Sequence, residues 1–163
     1  MDQQTRSTLE VIYENWRVYH EKLRDSIAPL TNEQLLLQPA AHMWPLGQIV
    51  QPIISVRAGW FSGTLQDDDE AMNAYMAWGQ HDSPARSAVE LVRGLDETLA
   101  FIEARLQRWT PGDCAKTFPD EWDGQEYEVS RSWVIYHVLE HDLHHGGEVA
   151  LLVGMHGLRA PDL

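Results

Sequence analysis

Apolar residues recur every three or four positions along four long stretches of the chain, with polar residues between them. That period lets a helix bury one face and wet the other. The first stretch runs from about Gln4 to Ala28, with Leu9, Ile12, Trp16, Tyr19, Leu23 and Ile27 on its stripe and Pro29 ending it. The second is expected from Pro45 to about Leu65, on Leu46, Ile49, Ile53, Val56 and Trp60. Pro45 suits a first helical residue, but Pro52 falls inside the stretch. An internal proline removes one backbone hydrogen bond and crowds the carbonyl four residues back, at about 3 kcal/mol. The pattern therefore predicts a kinked helix or one that starts only near Ile53. The third stretch opens on Ser83-Pro84, a cap followed by proline, and runs to about Trp109 on Ala88, Leu91, Leu95, Leu99, Ile102 and Leu106. The fourth begins near Ser132, weakens at Gly154 and Gly157, and is stopped by Pro161.

The connections carry their own signals. Thr31-Asn-Glu-Gln34 reads as a capping box for a short helix through Leu37, broken by Pro39. Asp67-Asp-Asp-Glu70 lacks the glycine and spaced ligands of a calcium loop and reads as a solvated loop. Met72 to Trp78 suggests a brief helical turn or a lid. From Thr110 to Ser130 the period dissolves into a long polar loop, with Phe118, Trp122 and Tyr127 as apolar anchors and a hairpin signal at Asp123-Gly124. Four amphipathic stretches without a set of strands predict an all-α fold, a four-helix bundle forming one domain over 1–163. The long connections leave its topology open.

Composition narrows the partners. The 163 residues suit one domain with a proper core. The net charge of −13 repels a phosphate backbone, and no basic patch offsets it, so nucleic acid is not an expected partner. Cys114 is the single cysteine. It excludes an intrachain disulfide, suits a reducing compartment, and reads as an inert surface thiol with no base beside it in sequence. No apolar signal core and no membrane-spanning run is present, so a soluble cytoplasmic protein without a membrane partner is expected.

Chemistry concentrates in the last stretch. His137, His141, His144 and His145 are four of the chain's eight histidines. Val134, Val138, Val149 and Leu152 mark the apolar stripe, and His141 and His145 fall on it, one turn apart. Imidazoles at i and i+4 share a face and can converge on one divalent ion. His137 extends the row by a turn, and Glu148 lies three residues beyond His145. The same pair could instead be a hydrogen-bonded core pair without metal.

The run His-Val-Leu-Glu-His-Asp-Leu-His-His-Gly-Gly-Glu (137–148) resembles the last-helix signature of the DinB/YfiT-like superfamily. Leu30-Thr-Asn-Glu-Gln-Leu, Pro39, Trp44-Pro-Leu-Gly-Gln-Ile and Arg57-Ala-Gly-Trp-Phe61 are similar to its run through helix two. The resemblance implies a bundle of up-down-down-up topology that carries a metal on three histidines. Two of these map to His141 and His145. The third is expected five residues after Gly47, where this chain has Pro52. His137 or Glu148 could complete the set, or a loop histidine (His42 or His81), or a partner chain. Gln51 points about 100° round the helix, and amide oxygens are poor ligands for zinc or nickel. His144 lies off the stripe, and His20 and His156 belong to no motif.

By that resemblance the chain is a metal-dependent enzyme, with zinc or nickel foremost. A low-molecular-weight thiol such as bacillithiol or mycothiol would be the co-reactant in transfer or isomerisation. Glu148 and His137 are the candidates for general base or for orienting a ligand. A small-molecule substrate would sit between helices two and four, lined by Trp44, Trp60 and Trp133, in a homodimer. The alternative is a bundle that has lost catalysis at Pro52 and serves as a small-molecule binding or dimeric interaction protein. A diiron bundle needs paired Glu-x-x-His motifs, whereas this chain has a single His145-x-x-Glu148 in the reverse order.

Overall fold

The computed structural model describes residues 7–67, 69–80 and 83–161. Helix α1, Thr8–Ile27, opens on a reciprocal capping box. The Ser7 hydroxyl accepts from the Glu10 amide at 3.2 Å, and the Glu10 carboxylate accepts from the Ser7 amide at 2.7 Å. The expected start at Gln4 lies outside the described residues. Thr31 and Gln34 form the predicted box ahead of a 3-10 turn, Gln34–Leu36.

Helix α2, Leu46–Ala58, takes Pro45 as its cap and runs on through Pro52, so it does not wait for Ile53. It continues as a π-helical segment, Gly59–Thr64, which completes the predicted reach toward Leu65. Helix α3, Glu70–Met76, and a 3-10 turn, Ala77–Gly79, occupy the stretch read as a helical turn or lid. The acidic run is more than a solvated loop. Asp69 caps α3 by accepting from the Ala71 amide, and Asp67 pairs with Arg105 at 2.8 Å.

Helix α4, Ala88–Leu106, corrects the Ser83-Pro84 start. Ser87 and Glu90 form a capping box, and reciprocal bonds at the helix end outweigh a proline signal four residues earlier. The long polar loop is mostly ordered. It holds the short helix α5, Pro111–Cys114, and a hairpin of β1, Thr117–Trp122, with β2, Gln125–Ser130. Asp123 and Gly124 both have positive φ, 52° and 72°, as a two-residue type I′ turn requires. Cys114, expected at the surface, is half-buried against the rim of the core. Helix α6, Arg131–Met155, closes the bundle. Among the described residues no helix is long and apolar enough to cross a membrane.

Side-chain contacts fix the topology of this all-α bundle. Arg17 meets Glu103 and Arg24 meets Asp96, so α1 and α4 run antiparallel. Trp16 meets Asp142, and Gly146 lies against Tyr19 one turn further along both helices, so α1 and α6 run parallel. Arg57 meets Asp142 while Trp60 meets Trp133, so α2 and α6 run antiparallel. Up-down-down-up satisfies all three relations, and it sets the sequence neighbours α1 and α2 diagonally across the core. Trp16, Leu23, Ile27, Leu46, Ile53, Leu91, Leu95, Ile102, Val134, Val138, Val149 and Leu152 fill that core.

One glycine permits the α1–α6 approach. A Cβ at Gly146 would overlap the Tyr19 hydroxyl and lie 2.7 Å from its ring carbon Cζ. Gly146→Ala is therefore expected to lower unfolding stability by about 1–3 kcal/mol, the usual cost of overpacking. Gly147→Ala, where a Cβ meets nothing within 4 Å, is expected to cost no stability. Urea midpoints of the two variants check this, and equal midpoints would exclude a close approach at 146.

Candidate metal centre

The expected apolar positions Val134, Val138, Val149 and Leu152 of α6 are all buried, but the two histidines placed on that stripe lie at its margin. Val138, Asp142, Gly146, Val149 and Val153 are buried, whereas His141 and His145 are only partly so. The core position one turn after Val138 is 142, and a carboxylate occupies it. The imidazole row lies about 100° round the helix, on the margin of the buried face.

Asp142 is fully buried and paired with the fully buried Arg57 of α2. Arg57 Nε donates to Oδ1 at 3.1 Å and Oδ2 at 3.0 Å, and Nη2 donates to Oδ2 at 2.6 Å. Trp16 Nε1 donates to Oδ2 at 2.7 Å, and the Tyr19 hydroxyl donates to the Asp142 carbonyl at 3.3 Å. Arg57 Nη1 reaches the Leu95 carbonyl at 3.0 Å and His20 Nδ1 at 3.4 Å. A guanidinium can only donate, so His20 Nδ1 accepts and its Nε2–H donates to Asp96 at 3.0 Å. Burial, then the Arg57 charge, pushes His20 down to about 4, so its ring is neutral near pH 7. Burial also pushes the Asp142 carboxyl up, while Arg57 and Trp16 pull against that shift. All four long helices contribute to this network. It braces the residue between His141 and Leu143, and so sets the direction of the imidazole row.

Along that row the His137 and His141 ring centroids are 6.3 Å apart, and those of His141 and His145 are 4.4 Å apart. His145 Nδ1 is 2.6 Å from Glu148 Oε2. With the proton on Nδ1, that bond leaves the Nε2 lone pair free, the arrangement by which carboxylates brace metal-binding histidines. His141 Nδ1 is buried without a hydrogen-bond partner. Burial, with the neighbouring histidines adding to it, pushes His141 down to about 4, which keeps it in the neutral, ligating form. His137 stacks on Trp133 at 4.8 Å and meets the edge of Trp60 at 5.0 Å. His144 is exposed. His144, His145 and Glu148 also bring one donor atom each within 4.8 Å of one another on the helix surface.

The sequence matches the DinB superfamily over residues 16–149. The chain belongs to the DinB superfamily. Solved DinB-like proteins share its fold. One from Bacillus cereus ATCC 10987 superposes with a TM-score of 0.71 at 24% identity, over 92% of this chain and 93% of that one. One from Bacillus subtilis gives 0.66 at 13% identity, over 93% and 95%. A conserved protein from Enterococcus faecalis gives 0.66 at 13%, over 92% and 99%. No curated protein matches the sequence.

Within this DinB fold the remaining candidates separate. Pro52 is buried in α2 and offers no donor. Gln51 is buried with both amide atoms unpartnered, and it lines a cavity with Leu35, Arg86 and Ser87. That places it toward α4, away from the imidazole row. His42 and His156 are exposed, and His81 lies outside the described residues. Trp44 lines a narrow cleft with Gln51 and Trp78, apart from Trp60 and Trp133, which meet each other at 5.2 Å. Sequence reasoning missed Asp142, Trp16 and the role of His20. The available signal was a charged residue at the Val138-plus-four position, opposite an arginine on the apolar stretch of α2.

Proposed function

We propose that this DinB protein binds one divalent metal, zinc or nickel foremost, through His141 and His145, and acts as a metal-dependent enzyme on a small-molecule substrate. The observation that carries the reading is the buried, unpartnered Nδ1 of His141 beside a His145 ring already braced by Glu148. An unpaired buried nitrogen costs free energy, and ligation would recover it. The donor set is two imidazoles, with His137 the next imidazole along the row. Family resemblance supplies the chemistry: S-transfer or isomerisation with a low-molecular-weight thiol, in a homodimer. When bound, the metal would hold the thiol sulfur as its thiolate. Glu148 orients His145 and stands within reach as a general base. His137, packed against two indoles that also meet each other, is the second candidate for that role.

The second reading rests on Pro52. A bundle without a helix-two donor holds a metal weakly, and the chain would then be a catalytically degenerate binding or interaction protein. Metal content of protein purified without an affinity tag separates the two. The expected result is about one zinc or nickel per chain, lost in His141→Ala while the helical circular dichroism is kept. Metal-free protein after micromolar supplementation would leave only the degenerate bundle.

A further inference from the structure

The hairpin and the start of α6 enclose a second cavity of about 450 Å³, in the range of small-ligand pockets. Its walls are Trp60, Trp122, Tyr127 and Trp133, with Asp120 among them and Glu128 at the strand beside it. Side chains alternate across a strand, so Phe118, Asp120 and Trp122 share one hairpin face with their partners Val129, Tyr127 and Gln125. Val129 is buried and Phe118 packs on the core, so this is the inward face. Asp120 is thus an acid pointing inward from a face of aromatic rings. One of its oxygens accepts from the Glu121 amide at 3.0 Å. Among the described residues no lysine or arginine lines the cavity. Trp122, Tyr127 and Trp133 stay 66%, 47% and 41% exposed, a large aromatic surface for water to hold.

We propose that this cavity binds a small organic cation with an apolar body, an alkyl- or arylammonium, whose charge is shared between the indole faces and the Asp120 carboxylate. Aromatic faces attract cations through their quadrupole, and a carboxylate beside them excludes anions. A neutral apolar ligand would leave Asp120 facing hydrocarbon, and an anion would meet a chain of net charge −13. The proposal stands without the metal. Trp60 and Trp133 nonetheless place the cavity against His137, one end of the imidazole row.

Titration calorimetry with benzyltrimethylammonium, benzyl alcohol and benzenesulfonate tests it on the full chain. The cation is expected to bind about tenfold or more tighter than the alcohol, and the sulfonate not at all. Asp120→Asn keeps the acceptor for the Glu121 amide and is expected to weaken the cation about tenfold, and Trp122→Leu to weaken it similarly. Glu121→Gln, which removes a charge from the opposite hairpin face, is expected to bind like the parent. Equal affinity for cation and alcohol overturns the proposal, as does equal loss in Glu121→Gln and Asp120→Asn. A homodimer that Trp122→Leu dissociates and that binds no cation also overturns it, assigning the face to a second copy. None of these outcomes alters the metal content, so the two readings fail separately.

Discussion

Asp142→Asn is expected to cost about 3–5 kcal/mol of unfolding stability, a large share of the 5–15 kcal/mol typical of a single domain. The cost comes from what the substitution leaves behind. Arg57 has no exposed surface, and its guanidinium stays charged whatever its surroundings. In place of the carboxylate the charge keeps one neutral amide oxygen, the Leu95 carbonyl at 3.0 Å and the longer contact to His20, while the new amide nitrogen is set among the Arg57 and Trp16 donors. Arg57→Met is expected to cost a similar amount, because it strands a buried carboxylate with the Trp16 indole as its remaining side-chain donor. The double variant should lose clearly less than the two single losses added together, since it strands neither charge. Urea unfolding of the four proteins measures this directly. Strictly additive losses would mean that the two groups do not act as a pair.

Acid should weaken the fold through His20, whose side chain is only 5% exposed. The folded ring titrates at about 4 against an ordinary 6.5, so as pH falls the unfolded chain takes up the proton first. The stabilisation is fully present above about pH 6.5 and is lost progressively as pH falls to about 4. The total is on the order of 3 kcal/mol. Protonation would set a second positive charge against Arg57 in the interior, while Asp96 at the rim offsets only part of it. His141 is depressed over the same interval and adds to the slope. A His20→Gln variant can still accept from Arg57 and donate to Asp96, and its stability should fall less steeply by up to one proton's worth of slope. Parallel curves of stability against pH for the parent and this variant would remove His20 from the account.

The fold was readable because its four long helices each bury one continuous stripe, and a period of three to four survives a few wrong residues. Boundaries were read less well where two signals competed, as at Ser83-Pro84 against Ser87 and Glu90. The hairpin was readable from Asp123-Gly124 alone, because few residue pairs tolerate two positive φ values in succession. On α6 the apolar positions were read as they stand, but Asp142 was missed among them. A stripe is traced through apolar residues, so an aspartate at its centre looks like an interruption and the neighbouring histidines look like members. Only the partner helix, with Arg57 at the matching depth, reveals that 142 is interior. His20 had no local signal, because its role depends on Arg57 and Asp96, 37 and 76 positions away.

The diagonal placement of α1 and α2 has a cost during synthesis. Neither can cover the other, and the carboxylate that neutralises Arg57 is 85 positions downstream. A nascent chain released up to Ser130 can set α4 against α1 and α2, but it leaves Arg57 without its carboxylate and the α6 side of the core uncovered. Such a polypeptide stays adhesive until its final helix leaves the ribosome tunnel, so the molecule matures in one late step rather than piece by piece.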